Sequence, residues 1–258
     1  MTNSNRFRII DTHCHLEEPE FAVDSDEVIQ RAVRLGVHMI TSAIREDTWN
    51  RALDISASHD SVSVALGLDP DLCYQIQSAK DFIKVKREQL IALGEVGLDH
   101  YRERDHKKRE DQEESFRQMI ELATEIDLPL QVHSRSAGRK ALETLTNMEA
   151  KNVQMHAFDG KASLARVAST EHGYYFSIPT SVVRSAQKRK LVKAVDIERI
   201  LVETDSPVLG PDRESRNEPM NVWVALREVA SILKREEEEM REILLENTLR
   251  LYPGIRTK

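Results

Sequence analysis

Cysteine is scarce in this chain, with Cys14 and Cys73 the only two in 258 residues. Two thiols cannot build the disulfide framework of a small secreted domain. Long apolar runs are missing too. None approaches the ~20 residues that span a bilayer, and residues 1–8 hold no apolar signal-peptide core. A cytoplasmic location without a membrane partner is therefore expected. Basic charge is not in excess, since the formal net charge is −7. That is unlike a protein that coats nucleic acid through a broad basic face. It leaves room for an enzyme that grips one phosphodiester locally. There is no Gly-x-Ser-x-Gly elbow and no Gly-x-x-x-x-Gly-Lys phosphate loop. No Pro-, Gly- or Ser-rich linker divides the chain, so residues 1–258 read as one domain. No obligate protein partner is evident.

What is present is alternation. Short apolar runs near 8–13, 38–44, 62–68, 90–95, 130–133, 153–157, 174–178 and 200–205 read as buried strands. Amphipathic segments lie between and after them. In 24–35 Val28, Ile29 and Ala32 share a face and Gly36 follows as a stop; 112–126, 186–195, 221–233 and 237–251 are further helices. Strand–helix alternation implies an α/β fold with parallel strands. The length matches the ~250 residues of a (β/α)8 TIM barrel, eight parallel strands ringed by helices.

Donor side chains close these runs. His13 and His15 end the first, and on a strand the one-residue spacing aims both imidazoles the same way, with Asp11 on that face. Cys14, between them, points to the opposite side as a small apolar residue. Glu95 ends the fourth run between Gly94 and Val96-Gly97; glycines let the backbone pass close to another group, and a carboxylate there can bridge two cations. His133 and His156 end the fifth and sixth. An imidazole buried at a strand end satisfies both nitrogens with a metal on one and an acceptor on the other. Asp205 ends the eighth, and Glu203 lies two residues earlier on the same face. The spacing favours Asp205 as ligand and proton acceptor with Glu203 as an anchor beneath it; the reverse assignment also fits. Imidazole and carboxylate without thiolate suit zinc, manganese or magnesium. Two such ions activate a water and clamp the attacking and leaving oxygens, so metal-dependent hydrolysis is expected, with Asp205 and Glu95 as catalytic residues.

The segments Asp11-Thr12-His13-Cys14-His15, Gly94-Glu95-Val96-Gly97-Leu98-Asp99, Leu130-Gln131-Val132-His133-Ser134-Arg135, His156-Ala157-Phe158-Asp159-Gly160, Glu203-Thr204-Asp205-Ser206-Pro207 and Arg216-Asn217-Glu218-Pro219 occur in this order. Together they resemble the TatD family of metal-dependent deoxyribonucleases, within the amidohydrolase-like TIM barrels. The resemblance spans nearly the whole chain. It implies two divalent ions (Mg2+, Mn2+ or Zn2+). His13, His15 and Asp205 hold one with help from Glu95, while His133 and His156 hold the other with Glu95 bridging. It also implies 3′-5′ exonuclease trimming of DNA, or RNA, ends. The chain departs from the family pattern at Asp69, where a histidine is frequent, and at Ala157 and Asp159. These departures bear on the substrate cleft.

Arg135 follows His133, and Tyr101 lies in the loop after Glu95; a phosphate grip and a base-stacking platform are their expected roles. Arg102, Arg104, Lys107, Lys108 and Arg109, and Arg184, Lys188, Arg189 and Lys190, form basic clusters that suit phosphates. His100 and His106, in the same loop, are placed to touch substrate. Asn217 and Glu218 are expected substrate contacts, and Glu203 and Asp11 are expected to support the ligands from behind. The alternative function is a small-molecule or aminoacyl-ester/amide hydrolase, which Asp69 and the acidic charge favour slightly.

Overall fold

The computed structural model describes residues 7–255; most of the segment read for a signal peptide lies outside them. Eight parallel strands run β1 (Ile9–Cys14), β2 (Val37–Ala43), β3 (Val62–Leu66), β4 (Ala92–Gly97), β5 (Leu130–His133), β6 (Val153–Met155), β7 (Tyr175–Pro179) and β8 (Ile200–Glu203). Each pairs with the next in sequence order. The seam closes where β8 returns to β1. Thr12 Oγ1 donates to Val202 O at 2.9 Å, Asp205 N to His13 O at 2.9 Å, and His15 N to Ser206 O at 2.8 Å. This is the eight-stranded barrel that the alternation implied.

The helices are α1 (Ser25–Arg34), α2 (Glu46–Ser58), α3 (Ile76–Lys86), α4 (His106–Glu125), α5 (Gly138–Asn147), α6 (Ala162–Glu171), α7 (Ala186–Ala194), α8 (Val222–Leu233) and α9 (Glu237–Leu251). Gly36, at φ +72°, ends α1 as its position suggested. α4 starts six residues before the expected Gln112, because the run His106-Lys107-Lys108-Arg109-Glu110-Asp111 carries no apolar period. The start is set by Asp105, whose side chain accepts from Lys108 N at 3.0 Å. Among the described residues no helix is long and apolar enough to cross a membrane.

The barrel interior is layered. Ile10, Ile40, Ala65, Ala92 and Leu201 join Tyr252 and Leu251 in an apolar plug near the amino ends of the strands. Above it lies a polar layer. Gln131 Nε2 donates to Thr12 O at 3.0 Å and Gln154 Nε2 to Ser177 Oγ at 2.9 Å, so each buried amide donor finds an acceptor. The donor residues crown this layer at the carboxyl ends, the face that carries function in such barrels.

Candidate metal centre

Two of the ligand-bearing strands are not regular. β1 slips its register against β2 by one residue between Asp11 and Cys14, and β4 slips against β5 by one between Leu93 and Val96. A bulge of this kind bends the strand and re-aims a side chain. It does so here at His13 and at Glu95. Glycine makes the second one possible. A Cβ on Gly67 would lie 2.1 Å from Glu95 O, and one on Gly97 would lie 2.0 Å from His133 O. No other residue type lets these strands pass so closely.

The six expected ligands all converge, and every imidazole is held by one nitrogen. His13 Nδ1 is 3.1 Å from Gln131 Oε1, His15 Nδ1 is 2.8 Å from Ser42 O, and His156 Nδ1 is 3.0 Å from Glu203 Oε2. Their Nε2 atoms face inward. His13 Nε2 lies 3.2 Å from His15 Nε2 and 2.8 Å from Glu95 Oε2, while His15 Nε2 lies 3.3 Å from Asp205 Oδ1. His156 Nε2 is 3.9 Å from Glu95 and 3.8 Å from Asp205. His133 is turned the other way. Its Nε2 is anchored on Asp99 Oδ2 at 3.1 Å and its Nδ1 faces Glu95 Oε1 at 2.7 Å.

Charge is concentrated and buried. Burial opposes ionisation of Glu95, but His133 and His156 outweigh it and hold its carboxyl well below the usual range. Burial opposes ionisation of Asp205 as well, and His156 and His15 reverse the sign. Burial disfavours the His133 cation, yet Glu95 and Asp99 push it up to about 10. His15 is raised against burial by Asp205 and Glu17, and His156 by Glu203, Asp205 and Glu95. His13 is lowered by burial and by the charge of His156. Protons on imidazoles thus balance the carboxylates, and they sit on nitrogens that would otherwise ligate a cation.

These residues fit divalent cations. His133 Nδ1 is fully buried and faces Glu95 Oε1 at 2.7 Å. Imidazole and carboxylate share a proton there in the absence of metal, and a cation would displace it. Two donor sets lie within ligating reach, His13 with His15 and Asp205, and Glu95 with His133 and His156. A third set, His13, His156 and Glu203, includes a carboxylate whose oxygens already accept from His156 Nδ1 and from Ala157 N at 2.9 Å. Glu203 is therefore placed as the anchor of His156. Nitrogen and oxygen donors without sulfur suit magnesium, manganese or zinc.

The structure gives other expected residues different work. Asp11 does not share the aim of His13, because the bulge intervenes. Its carboxylate reaches β8, accepting from Thr204 N at 2.8 Å and Thr204 Oγ1 at 2.5 Å, so it ties both ligand-bearing ends together. Asn217 is corrected as a substrate contact. It is fully buried, and its amide donates to Thr180 Oγ1, Thr204 O and Val208 O. Glu218 is corrected as well. It is bidentate to Arg31 at 2.8 Å and paired with Arg216. Lys107 and Lys108 pair with Glu110, Asp111 and Glu103. His106 opens α4 and faces Glu110. Lys188 is buried. Its Nζ donates to Ala157 O at 2.5 Å and Phe158 O at 2.7 Å, and burial pushes its pKa down to about 8.

Arg135 and Tyr101 do meet at the rim, with the guanidinium 3.9 Å from the ring centroid and the ring half exposed. Asp69 is paired, though its partner Arg102 is shared with Asp71 and Asp99. Arg102 grips it through two nitrogens at 3.1 and 2.9 Å and also reaches Asp99 at 2.9 Å. The anchors Ser42, Asp99 and Gln131 went unassigned in the sequence. Asp99 and Gln131 carried a signal, Asp99 four residues beyond Glu95 in the Gly-Glu-Val-Gly-Leu-Asp segment and Gln131 two residues before His133.

Comparison with known proteins gives a consistent result. The family model described as "TatD related DNase" matches residues 10–253. "Deoxyribonuclease TATDN3" of Homo sapiens is 35% identical, covering 96% of this chain and 96% of that one. "Uncharacterized metal-dependent hydrolase MJ1582" of Methanocaldococcus jannaschii is 32% identical, covering 95% and 97%. The crystal structure of YJJV, a TatD homologue from Escherichia coli K12, superposes with a TM-score of 0.87 at 25% identity, covering 95% of this chain and 98% of that one.

Proposed function

From the premise that this chain belongs to the TatD-related DNase family, we propose that it is a metal-dependent deoxyribonuclease that trims nucleic-acid ends in the 3′-5′ direction. The hydrolase class rests on the family and on the donor set. The observation that carries it is the orientation of the imidazoles. Each has one nitrogen tied to a protein acceptor and the other turned toward Glu95 and Asp205. That is how a site presents neutral lone pairs to cations.

In this reading His13, His15 and Asp205 would hold one divalent ion with help from Glu95, and Glu95, His133 and His156 would hold a second. Ions bound there supply Lewis acidity toward a phosphodiester oxygen and lower the pKa of a water. The protein's own part is as follows. Asp205, ionised because imidazoles surround it, takes the proton of the attacking water on a carboxylate oxygen. Glu203 fixes the tautomer of His156, leaving Nε2 without a proton. Asp99 does the same for His133 through the opposite nitrogen. Arg135, stacked on Tyr101, neutralises phosphate at the rim, and the exposed ring face receives a terminal base. The slight case that Asp69 made for a small-molecule ester or amide hydrolase is weakened by its pairing with Arg102.

The test is a single strand labelled at its 5′ end, incubated with protein and Mg2+ or Mn2+, with a chelator control. A ladder shortening from the 3′ end is expected. Internal cuts without a ladder would replace end trimming with endonucleolysis. No cleavage by protein shown to bind metal would remove the nuclease reading.

A further inference from the structure

A cavity of about 640 Å³ opens on the carboxyl-end side of the barrel, between the loops that follow β5 and β6 and the start of α7. Its wall includes Ser136, three residues after His133, and Asp159, three residues after His156. Three residues of chain reach at most about 10 Å, so the cavity begins within that distance of two ligand backbones. Arg139, Lys161 and Lys190 line it. All three are exposed, and none forms an ion pair with a described carboxylate. The arrangement contrasts with Lys107, Lys108 and Arg189 on the same face, which are paired with Glu110, Glu103 and Glu228.

One acid is present in the wall. Asp159 Oδ2 accepts from Ser136 N at 2.9 Å, which joins the two loops. The lining therefore carries three positive charges against one negative, in a chain whose formal net charge is −7. The floor is rigid. Gln187 Nε2 donates to Gly160 O at 2.8 Å, and Lys188 holds Ala157 O and Phe158 O from beneath. α5 and α6 both begin at this wall, with Gly138 and Ala162, and neither has a side-chain cap on its first amides. Those amides add donors to a site already positive.

We propose that this cavity is a phosphate subsite for the nucleic-acid strand, receiving a backbone phosphate a few nucleotides from the scissile one. The proposal rests on the nuclease reading, because it takes the strand to run from the metal centre. It deepens that reading in a specific way: the substrate is an oligonucleotide rather than a dinucleotide or a small phosphodiester. Successive charges along one strand lie about 3.4 Å apart along a helix axis, and farther apart when the strand is extended. A cavity within about 10 Å of the ligand backbones thus takes a phosphate of the same strand. Arg139 offers a planar fork for phosphate, and the lysines act as point charges.

The experiment measures binding first and turnover second. A fluorescent 12-nucleotide single strand is titrated by anisotropy in a chelator, at several KCl concentrations. The proteins are wild type, the R139A/K161A/K190A variant, and a control, R34A/K151A/K234A. The control removes the same charge at the end of α1 and just after α5 and α8, on the opposite rim. Each phosphate contact on a single strand contributes about 0.7 to the slope of log affinity against log salt, so three contacts contribute about 2. The pocket variant is expected to lose about 2 in slope and at least tenfold in affinity near 0.1 M salt. The control stays within about twofold. Equal affinity and slope for pocket variant and wild type, or an equal loss in the control, would overturn the subsite. In the second arm the ratio of kcat/KM for the 12-mer over a dinucleotide falls about tenfold in the pocket variant. If wild type binds the strand through the pocket yet cleaves nothing in any metal, the subsite stands and the nuclease reading fails.

Discussion

Replacing Glu203 with Gln removes one charge and almost no volume, and it tests the tautomer argument directly. Glu203 Oε2 faces His156 Nδ1 at 3.0 Å, and Oε1 accepts from Ala157 N at 2.9 Å, with the side chain fully buried. An amide has one oxygen and one NH2 in place of two oxygens. The Ala157 N–H cannot change its role, so the amide oxygen stays with it. The NH2 then faces His156 Nδ1 and makes that nitrogen the acceptor. The ring proton moves to Nε2, the nitrogen turned toward Glu95 and Asp205. The opposite orientation leaves a buried N–H against an NH2, at a cost of about 1–3 kcal/mol. Loss of such an orienting partner weakens metal affinity about 10–100-fold, which converts to about 1.4–2.8 kcal/mol. Calorimetric titration of the chelator-stripped protein with Mn2+ is the assay, beside a thermal melt without metal. The expected result is unchanged stoichiometry, with the His156-side site weaker by that factor. Wild-type affinity in E203Q would refute the orienting role. Outright loss of one ion at any concentration would refute it differently, by making Glu203 a direct ligand.

Further outcomes follow from the same geometry. Asp205→Asn abolishes turnover while the protein still folds, because asparagine tolerates the left-handed backbone of this position, φ +54°; near-wild-type rates in folded protein would end its role as proton acceptor. The pH dependence of the metal-free protein has two arms. His133 stands at about 10 when folded, above the ordinary value near 6.5. Its contribution is complete below about pH 6.5 and is lost as pH rises through about 10. Glu95 and Asp205 are depressed, so their contributions hold above the usual carboxylate range and are lost on acidification. Metal competes with the His133 proton, so the rise in Tm on adding Mn2+ grows from about pH 6 to about pH 8; a flat or shrinking rise would contradict imidazole ligation. Asn217→Ala strips a donor from the buried Thr204 carbonyl and from the part-buried Val208 carbonyl and costs about 1–3 kcal/mol in chemical denaturation, while KM for an oligonucleotide stays within about twofold. A large KM change in folded protein would return Asn217 to the substrate.

Much of the site could be read from the residues because barrel topology turns a linear cue into a spatial one. Parallel strands place all their carboxyl ends on one rim, so a donor closing an apolar run lands there whichever strand it ends. His13, His15, Glu95, His133, His156 and Asp205 needed only that rule. Alternation failed where the strands bulge, and Asp11 was assigned to the wrong face for that reason. The loop after β4 misled in another way. Its lysines look like a phosphate grip, but their acidic neighbours in sequence become their partners once α4 forms. Buried Asn217 and Lys188 carry no mark in the sequence that separates a structural amide or ammonium from an exposed one.

The sequence by itself determined the parallel α/β architecture, the donor chemistry and the rim on which the donors meet, since these depend on local period and residue type. The tertiary structure alone decided which nitrogen of each imidazole faces the centre, that Glu203 stands behind His156, and that Arg102 pairs with Asp69. It alone gathered Arg139, Lys161 and Lys190 around one cavity. Those facts depend on contacts between segments far apart in the chain, and packing, not period, sets them.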